Sequence, residues 1–132
     1  MATLQRTRQY SDLDLNFIAH PVTKDIIPRT GDAAVVSSVK NLIYTNFYER
    51  PFQSHVGSGV RGLMFENITS GTAIALRTAI ELVLANFEPR VEVESVSVIP
   101  DYDHNRFQVI LTFFIVNQSA PVTISLFLER VR

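Results

Sequence analysis

The apolar residues of this 132-residue chain change period at one place, and that place divides what the chain can fold into. Between Val35 and Phe87 they recur mainly at helical spacing, and from Val91 onward the period becomes two. Between the two stands Glu88-Pro89-Arg90. Proline cannot continue a helix and pushes the residue before it toward extended backbone, so Glu88 and Arg90 are expected on the same side of the chain, about 6–7 Å apart. A carboxylate at a helix C-terminus meets partial negative charge at a cost of up to about 1 kcal/mol, so a cation is expected to face it. The two side chains can pair with each other as an internal helix stop, or together grip one partner. The residues alone leave both readings open.

Upstream of the stop, the spacing predicts a principal helix from about Thr72 to Phe87, capped by Thr69 or Ser70. Its stripe is Ala73, Leu76, Ile80, Val83, Leu84 and Phe87, with Arg77 and Glu81 paired at i, i+4 on another face. Ile74 and Leu82 lie off the stripe and predict a second buried face, under the first helix or under another protein. That first helix is marked by Val35, Val36, Val39, Leu42, Ile43 and Phe47, with Thr30 or Asp32 as its cap and Glu49-Arg50-Pro51-Phe52 as its end. Gly57-Ser58-Gly59 predicts a pliable loop, followed by a short helical turn between Val60 and Phe65. Residues 1 to 31, broken by Pro21 and Pro28, show no sustained period and read as an extended arm that wraps its own domain or reaches a neighbour.

Downstream, Val91 to Ile99 forms a strand whose alternation slips near Ser95, the mark of a bulge. Phe107 to Val116 is a nearly continuous apolar run, as expected of a central strand buried on both faces. Val122, Ile124, Leu126 and Leu128 alternate to form the last strand. Short links between three strands imply an antiparallel meander. The expected fold is therefore α+β: two main helices packed on an antiparallel sheet of about three strands, with an extended N-terminal arm. It is read as one domain, 1–132, divided into arm (1–31), helical part (32–90) and strands (91–132). In a meander the first and last strands are edges. The last carries charge only at its end, at Glu129, Arg130 and Arg132, and so is expected to be covered, by residues 1 to 20 folding back or by a strand of another subunit.

Composition narrows the function classes. A formal net charge of -1 gives no attraction to nucleic acid or to an acidic membrane, and the absence of cysteine removes disulfides, thiolate metal sites and cysteine nucleophiles. Met1 to Tyr10 lacks the apolar core of a secretory signal, and no apolar run reaches the 18 or so residues of a membrane span. Asp101-Tyr102-Asp103-His104-Asn105 starts like a calcium loop, but Arg106 stands at its glycine position and Thr112 at its bidentate glutamate. His20, His55 and His104 have no metal-ligand spacing, and Ser58 is not in a nucleophile elbow. Nor do the glycines of Gly57-Ser58-Gly59 make a phosphate loop, since no lysine follows them. No cofactor or metal is expected. A glycosidase needs two carboxylates about 5 to 9 Å apart, and the candidates with apolar neighbours, Glu66 and Glu88, flank a helix about 24 Å long. Glu66 is accordingly read as a cap or salt bridge at a helix terminus.

A set of short motifs carries a family resemblance. Arg50-Pro51-Phe52, Gly57, Leu63 with Phe65-Glu66-Asn67, the helix ending in Glu88-Pro89-Arg90-Val91, Val98-Ile99-Pro100 with Tyr102-Asp103, and Tyr10-Ser11-Asp12-Leu13-Asp14 occur together in order. As a set they resemble the small baseplate wedge protein of contractile-tailed bacteriophages, a family shared with a baseplate subunit of the type VI secretion system. The resemblance implies a non-enzymatic virion component of the tail baseplate, assembled in the host bacterial cytoplasm. Its partners would be other baseplate wedge proteins and the tail sheath subunit, with the tail tube as a further neighbour. Glu88, Pro89 and Arg90 would bind the helical core bundle of the wedge, and Glu66, at the other end of the helix, would also be a partner-binding residue. The strand of Val122, Ile124, Leu126 and Leu128 would accept sheath strands and so initiate sheath polymerisation. Members of the family have also been called lysozymes, which makes a peptidoglycan hydrolase the competing reading.

Overall fold

The computed structural model describes residues 10–130. Its elements run β1 (Ser11–Leu13), β2 (Pro28–Thr30), α1 (Asp32–Tyr44), α2 (Val60–Leu63), α3 (Ser70–Phe87), β3 (Val91–Asp101), β4 (Arg106–Ile115) and β5 (Pro121–Glu129). The result is an α+β fold, with a three-stranded antiparallel sheet ordered β3-β4-β5 and a small two-stranded sheet of β1 and β2.

The principal helix, α3, begins where its cap predicts. Thr69 is extended and its Oγ1 accepts the Thr72 amide at 3.1 Å, so Thr69 rather than Ser70 satisfies the free end of the helix. Thr69→Ala is expected to cost about 1 kcal/mol, read as a lower urea midpoint at unchanged slope. Ala73, Leu76, Ile80, Val83 and Leu84 are buried as the stripe requires, whereas Ile74 and Leu82 are 66% and 61% exposed. The first helix does not cover them.

That helix, α1, is shorter than its apolar pattern suggests. It stops at Tyr44, because Thr45 turns to extended backbone, and Phe47 falls outside the helix in the following loop. Neither Thr30 nor Asp32 caps it. Its start is Gly31 at φ 64°, a left-handed turn that joins β2 directly to the helix without a side-chain cap. Val35, Val39, Leu42 and Ile43 face the core.

In the main sheet β4 pairs along its length with both neighbours, and the ladder with β3 shifts between Val93 and Ser95. Glu94 is the extra residue of that bulge. The central strand differs from expectation. Phe107, Val109, Leu111, Phe113 and Ile115 are essentially buried, while Gln108, Ile110, Thr112 and Phe114 on the opposite face are only half-buried. The helices pack on one face of the sheet, so among the described residues β4 is shielded on its other face by cross-strand neighbours such as Thr123, whose hydroxyl meets that of Thr112 at 3.2 Å.

The arm also departs from expectation. Ser11, Asp12 and Leu13 pair with Thr30, Arg29 and Pro28, Ala19 bridges Ile26, and Asp14 pairs with Arg29 at 3.2 Å. From Tyr10 onward the segment is thus a closed hairpin-like lobe and not an extended arm, and it does not run along β5. Residues 1 to 9 of the expected arm and the terminal Arg132 lie outside the described residues.

Candidate functional site

Two features remain after the fold is accounted for: the stop after α3 and the outer edge of β5. At the stop, Glu88 and Arg90 are in direct contact. Arg90 Nε donates to Glu88 Oε1 at 2.7 Å and Nη2 donates to Oε2 at 3.1 Å. On its other side the same guanidinium donates to both carboxylate oxygens of Asp12, at 3.2 and 3.1 Å. Its plane lies against the Tyr10 ring, with Cζ 5.3 Å from the centroid. Ser38, on α1, donates to Glu88 Oε2, the oxygen that also accepts Arg90 Nη2. One guanidinium therefore ties the end of α3, the start of β3 and the N-terminal lobe together, and the serine adds α1.

Of the three residues in the motif, Glu88 is 3% exposed, Arg90 is half-buried and only Pro89 stands out in solvent. The alternatives left open by the sequence resolve toward an internal bond. Spacing and period do not mark Asp12, Tyr10 or Ser38 as site residues. The signal for the first two was the Tyr10-Ser11-Asp12 run, whose connection to a position almost eighty residues away is not legible from spacing.

Burial pushes the Glu88 carboxyl up, but the hydrogen bonds from Arg90 and Ser38 and the neighbouring positive charge outweigh burial and hold it below its ordinary value. A lowered folded-state pKa adds stability that is fully present above the unfolded value of 4.5 and is lost as pH falls through the folded value. Melting temperature measured from about pH 7 down to about pH 3 is expected to fall less for Glu88→Gln than for the unaltered protein. Parallel curves would mean that Glu88 carries no such linkage.

Glu66 is exposed, and among the described residues its carboxylate neither caps a helix nor forms an ion pair, because Thr69 already fills the cap. It lies before α3 and Glu88 after it, at opposite ends of an 18-residue helix about 27 Å long. The lowered Glu88 pKa is also opposite to what a general acid requires. The other residues weighed for chemistry are occupied structurally. Asp101 binds Arg106 Nε at 3.0 Å and His104 Nδ1 at 2.9 Å, and the Ser58 hydroxyl donates to the Ile43 carbonyl at 2.6 Å.

At β5, the side chains of Ile124, Leu126 and Leu128 are buried in the core and Val122 packs against it. Their side chains are turned toward this protein's own core. Two main-chain bonds show which residues turn their peptide groups outward. The Arg130 amide donates to the Asn105 carbonyl at 3.1 Å, so the odd-numbered residues of β4 turn their peptide groups toward β5. The Val116 amide donates to the Arg90 carbonyl at 2.9 Å, so the even-numbered ones turn theirs toward β3. Bonding direction alternates along antiparallel strands. Val122, Ile124, Leu126 and Leu128 therefore spend their peptide groups on β4, and Thr123, Ser125, Phe127 and Glu129 direct theirs to the open edge. Those outward residues, not the core-facing ones named from the sequence, make up the surface an added strand would use.

The two edges are not equivalent. The edge of β3 carries the bulge at Glu94 and, at Pro100, a residue without an N–H, both devices that discourage strand pairing. Between Pro121 and Glu129, β5 has a regular register and no charged residue before its last position. Among the described residues, strand pairing is thus discouraged at the β3 edge and unopposed at the β5 edge.

The model of the family described as "Baseplate wedge protein gp25" matches residues 29–119. The baseplate wedge protein gp25 of Enterobacteria phage T4 is 32% identical over 108 residues, covering 82% of this chain and 81% of that protein. Among solved structures, a chain of the anti-feeding prophage baseplate superposes with a TM-score of 0.74 at 25% identity, over 84% of this chain and 89% of its own. A Geobacter sulfurreducens protein described as a tail lysozyme superposes with a TM-score of 0.69 at 18% identity, over 74% of this chain and 89% of its own, a likeness of fold alone.

Proposed function

We propose, because this chain belongs to the baseplate wedge protein gp25 family, that it is the baseplate subunit on which a contractile sheath begins, and that it starts the sheath by accepting a strand along β5. The observation that carries this reading is the open edge of β5, whose outward peptide groups at Thr123, Ser125, Phe127 and Glu129 lack a neighbouring strand among the described residues. Main-chain bonding gives affinity there without demanding one side-chain sequence, and such bonds tolerate rotation of neighbouring subunits better than a rigid side-chain lock.

In this reading the two ends of α3 face the wedge. Pro89, the accessible part of Arg90 and the exposed Glu66 dock against the helical core bundle of other wedge proteins, while Glu88 and Asp12 hold Arg90 in place. The tail tube is a further neighbour, and the protein acts in the tail baseplate of a virion assembled in the host bacterial cytoplasm. A peptidoglycan hydrolase is disfavoured by the separation of Glu66 from Glu88 and by the lowered pKa of Glu88.

The test is sheath assembly on baseplates that carry Ser125→Pro. Proline at Ser125 removes an outward N–H while leaving every bond to β4 in place, and it suits an edge position. Electron micrographs are expected to show complete baseplates with the sheathed fraction reduced about tenfold or more. Normal sheaths on such baseplates would rule out strand addition at β5.

A further inference from the structure

The open edge of β5 is complementary to itself, and we propose that the protein outside its baseplate pairs β5 with β5 of a second copy, masking the strand-accepting edge until a sheath strand displaces it. This rests on the reading of β5 as a strand acceptor. The nine residues Pro121 to Glu129 have Ser125 at their centre. An antiparallel two-fold pairing about Ser125 overlaps the whole strand. It sets Ser125 against its own counterpart, Thr123 against Phe127, and Pro121 against Glu129.

All of these are outward-bonding positions, so the register is also one in which the hydrogen bonds form. Ser125 exchanges both bonds with its counterpart, and Thr123 does so with Phe127. Glu129 donates to the Pro121 carbonyl, and Pro121, which has no N–H, leaves no donor unmatched. Every outward N–H of the strand thus finds an acceptor.

Packing permits the same arrangement. The two-fold axis is normal to the sheet, so both helical layers stay on one side and the cores of Ile124, Leu126 and Leu128 lie side by side. On the other side Phe127, 47% exposed with the Arg106 guanidinium 4.4 Å from its ring, gains Thr123 of the second copy as a cross-strand neighbour. No like charges oppose each other, since Glu129 meets proline. The edge of β3 offers no equivalent, because of Glu94 and Pro100.

Sedimentation equilibrium of the full chain, from low micromolar to several hundred micromolar, tests the pairing. The unaltered protein is expected to pass from monomer to dimer, and Ser125→Pro to raise the dissociation constant about tenfold or more. Phe127→Lys, which puts an edge lysine on an exposed position, is expected to act in the same direction and serves if the proline variant does not fold. An unaltered protein that stays monomeric throughout, or a dimer indifferent to both substitutions, overturns the proposal. Monomeric behaviour together with loss of sheath on Ser125→Pro baseplates would overturn the pairing and leave strand acceptance standing. A dimer that both variants weaken, with sheath assembly unaffected by either, would support the pairing and remove strand acceptance.

Discussion

Arg90→Ala is expected to lower stability by about 3 kcal/mol or more, a fall in melting temperature of about 10 °C for a chain of this length. The size follows from what is left behind. Glu88 has a side chain 4% exposed and would keep only the Ser38 hydroxyl and the backbone amide of residue 90 as partners, with its negative charge uncompensated in the interior. Asp12 would lose both of its bonds to the guanidinium, and the Tyr10 ring would lose the cation against it. Arg90→Lys keeps the charge but cannot hold two carboxylates in one plane, so its melting temperature should fall between the two. Removing Glu88 and Arg90 together should cost less than the sum of the single losses, because each is the reason the other is tolerated. Strict additivity, or an Arg90→Ala variant that melts with the unaltered protein, would show that the bond contributes nothing to the fold and would leave the motif free for partners.

Gly57→Ala is expected to be about as damaging, at roughly 3 kcal/mol, by overpacking and not by loss of charge. A Cβ on Gly57 would lie 2.6 Å from both the carbonyl carbon and oxygen of Asn46 and 2.7 Å from the Phe47 nitrogen. All three atoms are backbone, so no rotamer change relieves the contact. The two segments must separate, which breaks the Asn46–Ser58 bridge and the bond from the Ser58 amide to the Thr45 carbonyl. Urea unfolding of the variant measures the cost, and a loss below about 1 kcal/mol would mean that the 46–58 loop yields easily.

That glycine illustrates where sequence reading stops. Gly57-Ser58-Gly59 suggests pliability, but Gly57 is buried and is required by the close approach of another segment, which local composition does not encode. Features governed by local rules were legible: the Thr69 cap, the α3 stripe, the bulge before Ser95 and the alternation of β5 all follow from period and capping chemistry. Features set by long-range neighbours were not. Ile110 and Phe114 look like core in a run of apolar residues, and only the presence of helices on a single face leaves them half-buried. Ile74 and Leu82 suggest a second buried face, yet α1 ends up elsewhere. The Glu88–Arg90 pair follows from proline geometry, whereas Asp12 reaches it only because β1 and β2 close the N-terminal lobe against α1. At β5 the sequence locates the edge but points to the residues with conspicuous side chains. An added strand bonds instead to the inconspicuous ones between them.

The central claim is tested most directly by hydrogen exchange at single amides of β5, in dilute free protein and in sheathed particles. The account predicts that Thr123, Ser125, Phe127 and Glu129 exchange rapidly in the free protein and become protected in the particle. Ile124, Leu126 and Leu128, bonded to β4 throughout, should be slow in both. If the four outward amides exchange as fast in the particle as in the dilute protein, no strand is added at β5, and the sheath begins somewhere else.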